Sequence, residues 1–114
     1  MKPGAQAEQT AARYLQQRGL QLVQANYRCR MGEIDLILRE GETLVFAEVR
    51  LRGSSDFGGA AASIDARKQA KLIHTAQHYL ASLPRIPPCR FDALLLTAAD
   101  GKSGIEWLKN AFEV

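Results

Sequence analysis

Two carboxylates are the residues of this 114-residue chain best suited to chemistry. Asp35 lies in the segment GEIDLI, and Glu48 follows thirteen positions later in EVR, where Arg50 is the second residue after it. Two carboxylates and the Val49 carbonyl are oxygen ligands of the kind that Mg²⁺ or Mn²⁺ binds, with phosphate and water completing the shell. A cation held in this way neutralises a phosphodiester oxygen and lowers the pKa of an attacking water. The spacing therefore indicates metal-dependent chemistry on a phosphate ester.

Alternation of apolar and polar residues predicts that both acids lie on one β-hairpin, residues 31–52. In its first strand, Ile34 and Leu36 are expected on one face and Asp35 on the opposite face. Both faces of the second strand are largely apolar, which predicts a covered central strand and a partly buried Glu48. Because a buried carboxylate without a partner is costly, Glu48 should have a cation or a hydrogen-bond donor beside it.

The hairpin turn decides whether the two acids meet. A two-residue turn at Gly41 and Glu42, with glycine at the first position as type II′ favours, sets Asp35 directly opposite Glu48. A turn at Glu40 and Gly41 makes the acids diagonal neighbours on one face, and a three-residue loop separates their faces. Two of the three simple registers therefore bring the carboxylates together. Since like charges directly opposite destabilise a hairpin, a compensating cation is expected.

Helical and strand periodicities predict a single domain over residues 1–114 with the element order α-β-β-β-α-β-β. This order is typical of an α/β fold, a mixed central sheet flanked by helices. A glycine-rich connecting loop, residues 51–60, directly follows the Glu48 strand. Outside the hairpin, the predicted elements are helix Ala5–Arg18, strand Leu20–Tyr27, helix Ser63–Leu83, strand Arg90–Ala98 and strand Ile105–Lys109.

Each helix offers one further charged residue to the site. Glu8 falls on the inward stripe of the first helix with Ala11 and Leu15. It is either a first-turn acid favoured by the helix macrodipole or a third carboxylate aimed at the sheet. Lys68 extends the apolar stripe of the second helix by one turn before Leu72, so its ammonium is expected to reach the sheet edge.

The charge balance, +3 with pI near 9.1, is mildly basic and permits a polyanionic partner. Basic residues crowd the hairpin and the start of the second helix. If these residues share a face, contacts with nucleic-acid phosphates follow; otherwise they are a solvated charged surface. The residues concerned are Arg28, Arg30, Arg50, Arg52, Arg67, Lys68 and Lys71.

Composition also excludes some classes of protein. The chain contains no apolar run of the roughly 18 residues that a membrane span needs, and its first residues have no apolar signal core. Cytoplasmic residence is therefore expected, with no membrane partner. Cys29 and Cys89 are distant in sequence and are expected to be reduced thiols.

Four segments, GEIDLI, FAEVR, FGGAAASIDARKQAKL and RFDALLL, resemble the YraN family of small bacterial proteins, which are described as endonucleases of restriction-endonuclease-like fold. The resemblance extends from about Gly4 through the last strands. It implies an α-β-β-β-α-β core and similarity to archaeal Holliday-junction resolvases. It also implies that Glu8, Asp35 and Glu48 occupy metal-binding carboxylate positions, which favours the second interpretation of Glu8.

The chain departs from the family pattern at one site position. The family usually has Glu-Val-Lys followed by Thr-Arg, whereas this chain has EVRLR, with Arg50 in place of lysine and Arg52 at the end. The resemblance implies that the lysine orients or activates water. Arginine, with a pKa above about 12, cannot act as a base, although it can clamp a phosphate or hold a water. Lys68 could supply the missing ammonium from the second helix.

Three functions are compatible with these residues. The first is a metal-dependent endonuclease acting on DNA of particular structure, with Glu8, Asp35, Glu48, Arg50 and Lys68 as its catalytic residues. The second is a nucleic-acid-binding module that has lost catalysis. The third is a protein-interaction domain in which the acids are structural. A homodimer would suit a two-fold symmetric DNA junction.

Overall fold

The computed structural model describes residues 3–51, 64–102 and 104–112, and it confirms the predicted α/β element order. The predicted loop beyond residue 51, Arg52 and Ser63, the first residue of the predicted second helix, lie outside the described residues. The elements are α1 Pro3–Gln17, β1 Gln21–Cys29, β2 Gly32–Glu40, β3 Thr43–Leu51, α2 Ala66–Leu80, β4 Cys89–Leu96 and β5 Ile105–Phe112.

The five strands form one sheet in the order β1-β2-β3-β4-β5. Strands β3 and β4 are parallel, and the other neighbouring pairs are antiparallel. The parallel pair requires a crossover connection, and α2 lies within it. The sheet is therefore mixed, as predicted, with β3 at its centre.

Each face of the sheet carries its own core. On one face Ala11 and Leu15 of α1 belong to a buried cluster with Val45 of β3. On the other face Leu72 of α2 belongs to a second cluster with Phe46 of β3. Because both faces of the central strands are covered, these strands consist of nearly continuous apolar runs rather than alternating apolar and polar residues.

Helix α2 is shorter than predicted at its carboxyl end. It ends at Leu80 rather than Leu83, and the N–H groups of Ser82 and Leu83 donate to the carbonyls three residues earlier, at 3.0 Å. Such bonds tighten the last turn, and Pro84 cannot continue a helix. At its amino end, Asp65 is the N-cap, and its carboxylate accepts a hydrogen bond from the N–H of Lys68 at 2.9 Å.

The buried acid of β4 is a structural residue. Asp92 is 1% exposed and accepts hydrogen bonds from the Arg90 Nε at 3.0 Å and the Trp107 Nε1 at 2.9 Å. The backbone N–H of Asn110 donates to the same carboxylate at 2.9 Å. This carboxylate therefore links β5 to β4.

Strand β5 extends to Phe112, three residues beyond the prediction, and the Phe112 ring stacks on the Phe91 ring.

The β2–β3 hairpin has the first of the three predicted registers. Glu40 pairs with Thr43, and Gly41 has φ +59°, as the first position of a type II′ turn requires. The last ladder pair at the other end is Leu36 with Ala47. Asp35 and Glu48 are the residues that follow this pair.

The predicted faces of β2 are wrong in one respect. Leu36 belongs to the core against α1, whereas Ile34 and Ile37 both belong to the core against α2. The alternation therefore slips at Asp35. The row that would pair Asp35 with Asn26 is missing from the β1–β2 ladder, and Asn26 has a left-handed φ of +55°. This irregular row reorients the side chains that follow it.

Candidate metal centre

Asp35 is fixed by the neighbouring strand. Its Oδ2 accepts a hydrogen bond from the backbone N–H of Val49 at 2.8 Å, one residue beyond Glu48. The bond forms just past the last ladder pair of β2 and β3. It therefore holds the Asp35 carboxylate between the two strands, close to the Glu48 position.

Three acids from two elements converge at this point. One carboxylate oxygen from each of Glu8, Glu33 and Asp35 lies within 4.8 Å of the other two. Glu8 comes from α1, and the other two acids come from β2. Of the two interpretations of Glu8, the structure thus supports an acid aimed at the sheet.

Glu48 lies beside this group, on the side of the sheet that faces α2. It is 6% exposed, as its apolar neighbours on β3 predicted. Its Oε1 lies 3.5 Å from the Arg50 Nε and 3.6 Å from the Lys68 Nζ, so the expected cations are present. Its Oε2 is buried and has no hydrogen-bond partner among the described residues.

Burial raises the pKa of each of Glu8, Asp35 and Glu48. Burial first, and then the charge of Asp35, raise the pKa of Glu8 to about 7, and a hydrogen bond with Asn26 partly offsets this. Burial and the charge of Asp35 likewise raise the pKa of Glu48 to about 7, although Lys68 and Arg50 lower it. Burial raises the pKa of Asp35 too, while the N–H of Val49 lowers it.

These observations fit a divalent cation. The ligand set consists of carboxylate oxygens, which Mg²⁺ and Mn²⁺ prefer over nitrogen or sulfur. The buried Oε2 of Glu48 lacks a donor, and the acids are costly to ionise without added positive charge. Glu8 and Asp35, with Glu48 and the Val49 carbonyl beside them, are the residues that would hold it.

Sequence reasoning missed Glu33. It stands two positions before Asp35 in GEID, so strand periodicity put both acids on one face. An acid on the exposed half of a strand is ordinarily solvated, and the closeness of Glu33 to Glu8 depends on how α1 packs. The position of Glu33 two residues before Asp35 was therefore visible in the sequence, but its closeness to Glu8 was not.

The predicted phosphate-binding residues lie on two adjacent elements. Arg30 is exposed in the β1–β2 turn, and Arg67 and Lys71 are exposed on α2. The turn packs against α2, because a Cβ placed on Gly32 would lie 3.9 Å from the Lys71 Cβ. Arg28 forms an ion pair with Glu33, with the Nε and Oε2 atoms 3.3 Å apart.

Two further expectations concern the rest of the chain. Cys29 and Cys89 are both free thiols. No helix within the described ranges is long and apolar enough to cross a membrane.

Known proteins resemble this chain over nearly its whole length. A UPF0102 protein of Nitrosomonas europaea is 58% identical over 110 residues, which cover 96% of this chain and 92% of that protein. A UPF0102 protein of Nitrosospira multiformis is 56% identical over 97% of this chain and 92% of its own length. One from Methylobacillus flagellatus is 54% identical over 96% and 95% respectively. Residues 7–96, which include all the site acids, match the family itself. The resemblance to the YraN family is thereby confirmed, and the chain belongs to the uncharacterised protein family UPF0102.

Proposed function

We propose that this chain is a metal-dependent endonuclease that acts on structured DNA. The observation that carries the proposal is the meeting of Glu8 from α1 with Asp35 from β2, beside a buried Glu48 whose Oε2 has no partner among the described residues. Structural acids are satisfied by donors, as Asp92 is. At the site, burial and the charge of Asp35 raise the pKa of Glu8 and Glu48 to about 7, and perturbed pKa values of this kind are typical of functional carboxylates.

Glu8, Asp35, Glu48 and the Val49 carbonyl would hold the cation. A bound Mg²⁺ or Mn²⁺ would offset charge on a phosphodiester and acidify an attacking water. The N–H of Val49 orients Asp35, and this bond keeps the carboxylate in place before the cation arrives. Preorganisation of this kind is needed because small displacements of catalytic groups are costly.

Lys68 is the residue best placed to act on the water or on the phosphate. Its Nζ lies 3.6 Å from the Glu48 Oε1, and its side chain is one third exposed. The ammonium therefore reaches both the buried acid and the solvent. Its flexible stem and three donors suit it to hold a water against Glu48. In this role it supplies the charge that the family's lysine supplies from the strand.

Arg50 has the same exposure as Lys68 and lies 3.5 Å from the same Glu48 oxygen. Its guanidinium stays charged at any relevant pH, so it cannot accept a proton. Its planar fork does match a phosphate. We assign Arg50 to positioning the phosphodiester and Lys68 to the water.

The presence of Arg50 in place of the family's lysine also supports a second candidate function. If Arg50 in place of lysine has removed catalysis, the chain is a nucleic-acid-binding module in which the basic residues of the β1–β2 turn and α2 contact phosphates. Binding would then fall steeply with salt and survive removal of the cation. Cleavage of DNA by the wild type separates the two functions.

The first test is calorimetric titration of Mn²⁺ into the wild type, Asp35→Asn and Glu48→Gln, with and without a four-way DNA junction. The matched control is Glu42→Gln, which removes an exposed acid in the hairpin turn. We expect binding by the wild type and the control, and its loss in both site variants. Equal binding by all four proteins would contradict the proposal. Cleavage of the junction in Mg²⁺ by wild type, and its absence in Lys68→Ala, completes the test.

A further inference from the structure

Glu33, one of the three acids that converge at the metal centre with Glu8 and Asp35, forms an ion pair with a basic side chain. One of its carboxylate oxygens lies within 4.8 Å of ligand atoms of Glu8 and Asp35. Its Oε2 also lies 3.3 Å from the Nε of Arg28. The same carboxylate thus belongs both to the acidic group and to an ion pair.

We propose that Glu33 is a further ligand of the cation and that Arg28 competes with the cation for it. This inference rests on the proposed function, because it assumes that Glu8 and Asp35 bind a divalent cation. The guanidinium of Arg28 would occupy the Glu33 carboxylate when no cation is bound. It would lower the affinity for the cation, which has to displace the guanidinium from Glu33.

The β1–β2 ladder keeps the two partners together. Arg28 pairs directly with Glu33 across the strands. Beside it, the Tyr27 hydroxyl lies 2.6 Å from the Nδ1 of His78, and the Tyr27 ring meets the Tyr79 ring edge-on at 5.1 Å. These contacts tie β1 to α2. The backbone of Arg28 is therefore held opposite Glu33, while most of its side chain is exposed to solvent.

The ion pair is weak enough to be displaced. The Arg28 side chain is 72% exposed and that of Glu33 is 38% exposed. Exposed pairs gain little from their mutual attraction, because water screens the charges and holding long side chains costs entropy. A divalent cation that contacts Glu8 and Asp35 as well gains from several carboxylates at once.

A separate observation indicates that a ligand belongs here. Glu48 is more than nine-tenths buried, and its Oε2 has no partner among the residues that the structure describes. Asp35 lies between Glu48 and the acidic group, since its carboxylate accepts the N–H of Val49, the residue after Glu48, and lies with Glu8 and Glu33. The acidic group is thus the more exposed side of a centre whose buried side still has one carboxylate oxygen without a donor among the described residues.

Displacement of Arg28 from Glu33 by the cation would also affect the binding of nucleic acid. Once the cation takes Glu33, the guanidinium of Arg28 has no acid partner and can bind a phosphate. Arg28 therefore couples occupancy of the cation site to the binding of a phosphodiester on the same edge of the sheet. Arg30 and Lys71, on the adjoining turn and helix, would extend this phosphate contact.

A double-mutant cycle tests the competition with Mn²⁺ alone, by calorimetry without nucleic acid. The proteins are wild type, Glu33→Gln, Arg28→Gln and the double variant, with thermal melts to verify folding. We expect Glu33→Gln to weaken Mn²⁺ binding several-fold and Arg28→Gln to strengthen it several-fold. In the Glu33→Gln background, Arg28→Gln should have no effect, because Arg28 acts only through Glu33.

The control is Arg39→Gln, which removes an exposed arginine at the other end of β2 and should leave Mn²⁺ affinity unchanged. If Arg28→Gln strengthens binding equally in both backgrounds, only long-range charge is at work and the competition is wrong. If Glu33→Gln binds like the wild type while Asp35→Asn does not bind, this inference falls and the proposed function stands. If Asp35→Asn binds like the wild type, both fall.

Discussion

The carboxylate of Asp35 takes the place of a strand partner for Val49. Its Oδ2 accepts the hydrogen bond of the Val49 N–H at 2.8 Å, directly after the last backbone pair of the two strands. A side chain thus satisfies a donor that a continuous ladder would have given to a carbonyl. The backbone pairing of β2 with β3 therefore ends beside Asp35 and Glu48.

Two substitutions at Asp35 separate this bond from the charge. Both Asp35→Asn and Asp35→Ala remove the negative charge, but asparagine keeps an oxygen for the Val49 N–H. We expect the alanine variant to be less stable than the asparagine variant by about 1–3 kcal/mol, the cost of an unpaired donor. Urea unfolding measures the difference, and neither variant should bind Mn²⁺. Equal stability of the two variants would show that water replaces the bond.

The raised pKa values predict how stability depends on pH in the absence of divalent cations. Glu8 and Glu48 hold their protons up to about pH 7 in the folded chain, against an ordinary pKa of 4.5. Between these values the folded state binds more protons than the unfolded state, so stability declines as pH rises. The contribution is fully present below about pH 4.5 and is lost as pH rises through about 7.

Thermal melts over this range, in buffer with a chelator, measure the decline. Glu8→Gln and Glu48→Gln should each flatten the profile, because glutamine does not titrate. Glu42→Gln, at an exposed turn acid, should leave the slope unchanged. Profiles for the two site variants that run parallel to the wild type would mean that these acids titrate normally.

Divalent cations should reverse this pH dependence. Since Mn²⁺ binds the ionised acids, its affinity rises as the protons of Glu8 and Glu48 leave. We therefore expect Mn²⁺ to raise the melting temperature more at about pH 8 than at about pH 5. At a concentration about 100-fold above the Kd, the gain is about 2.7 kcal/mol. Asp35→Asn is the control, and a similar shift in it would indicate binding elsewhere.

Lys68 and Arg50 should differ in what their loss removes. We expect Lys68→Met to abolish cleavage with little change in the affinity for DNA, because its ammonium faces Glu48. Loss of this cation should also raise the pKa of Glu48 above its value of about 7. Arg50→Lys keeps the charge and should retain cleavage. Gel assays in Mg²⁺ and binding assays in Ca²⁺ separate the two effects, and cleavage by Lys68→Met would transfer the role to another group.

Sequence patterns predicted those features that depend on local chemistry. The burial of Glu48 follows from the apolar residues around it on β3. The sequence leaves the β2–β3 register open among three turns, and the structure has the one in which Gly41, with its left-handed φ, takes the first turn position. The reach of Lys68 follows from helical periodicity. Each of these features depends on residues within one element or one turn.

Features that depend on packing between elements escaped prediction. The slip of β2 at Asp35 accompanies a left-handed Asn26 on the next strand, and no pattern within β2 encodes it. The part played by Glu33 depends on α1 bringing Glu8 to the sheet. The pattern of β2 alone predicts only a solvated acid at Glu33. The packing of α1 against the sheet decides whether this acid is solvated or lies beside other acids.

Gly32 sets the distance between the site and α2. A Cβ at this position would lie 3.0 Å from the buried Thr75 Oγ1, and its φ is +148°. Gly104 also has a positive φ, +120°, but nothing within 4 Å of a Cβ. Gly32→Ala and Gly104→Ala thus share a backbone penalty of about 1–3 kcal/mol, and only the first adds a steric clash.

We therefore expect Gly32→Ala to lower the free energy of unfolding more than Gly104→Ala does, as measured by urea titration. Because Glu33 is the next residue, moving the turn away from α2 should also displace this acid from Glu8 and Asp35. Mn²⁺ binding should then weaken in Gly32→Ala and persist in Gly104→Ala. If both variants lose equal stability, the turn has room to shift, and the close contact with Thr75 does not position the site.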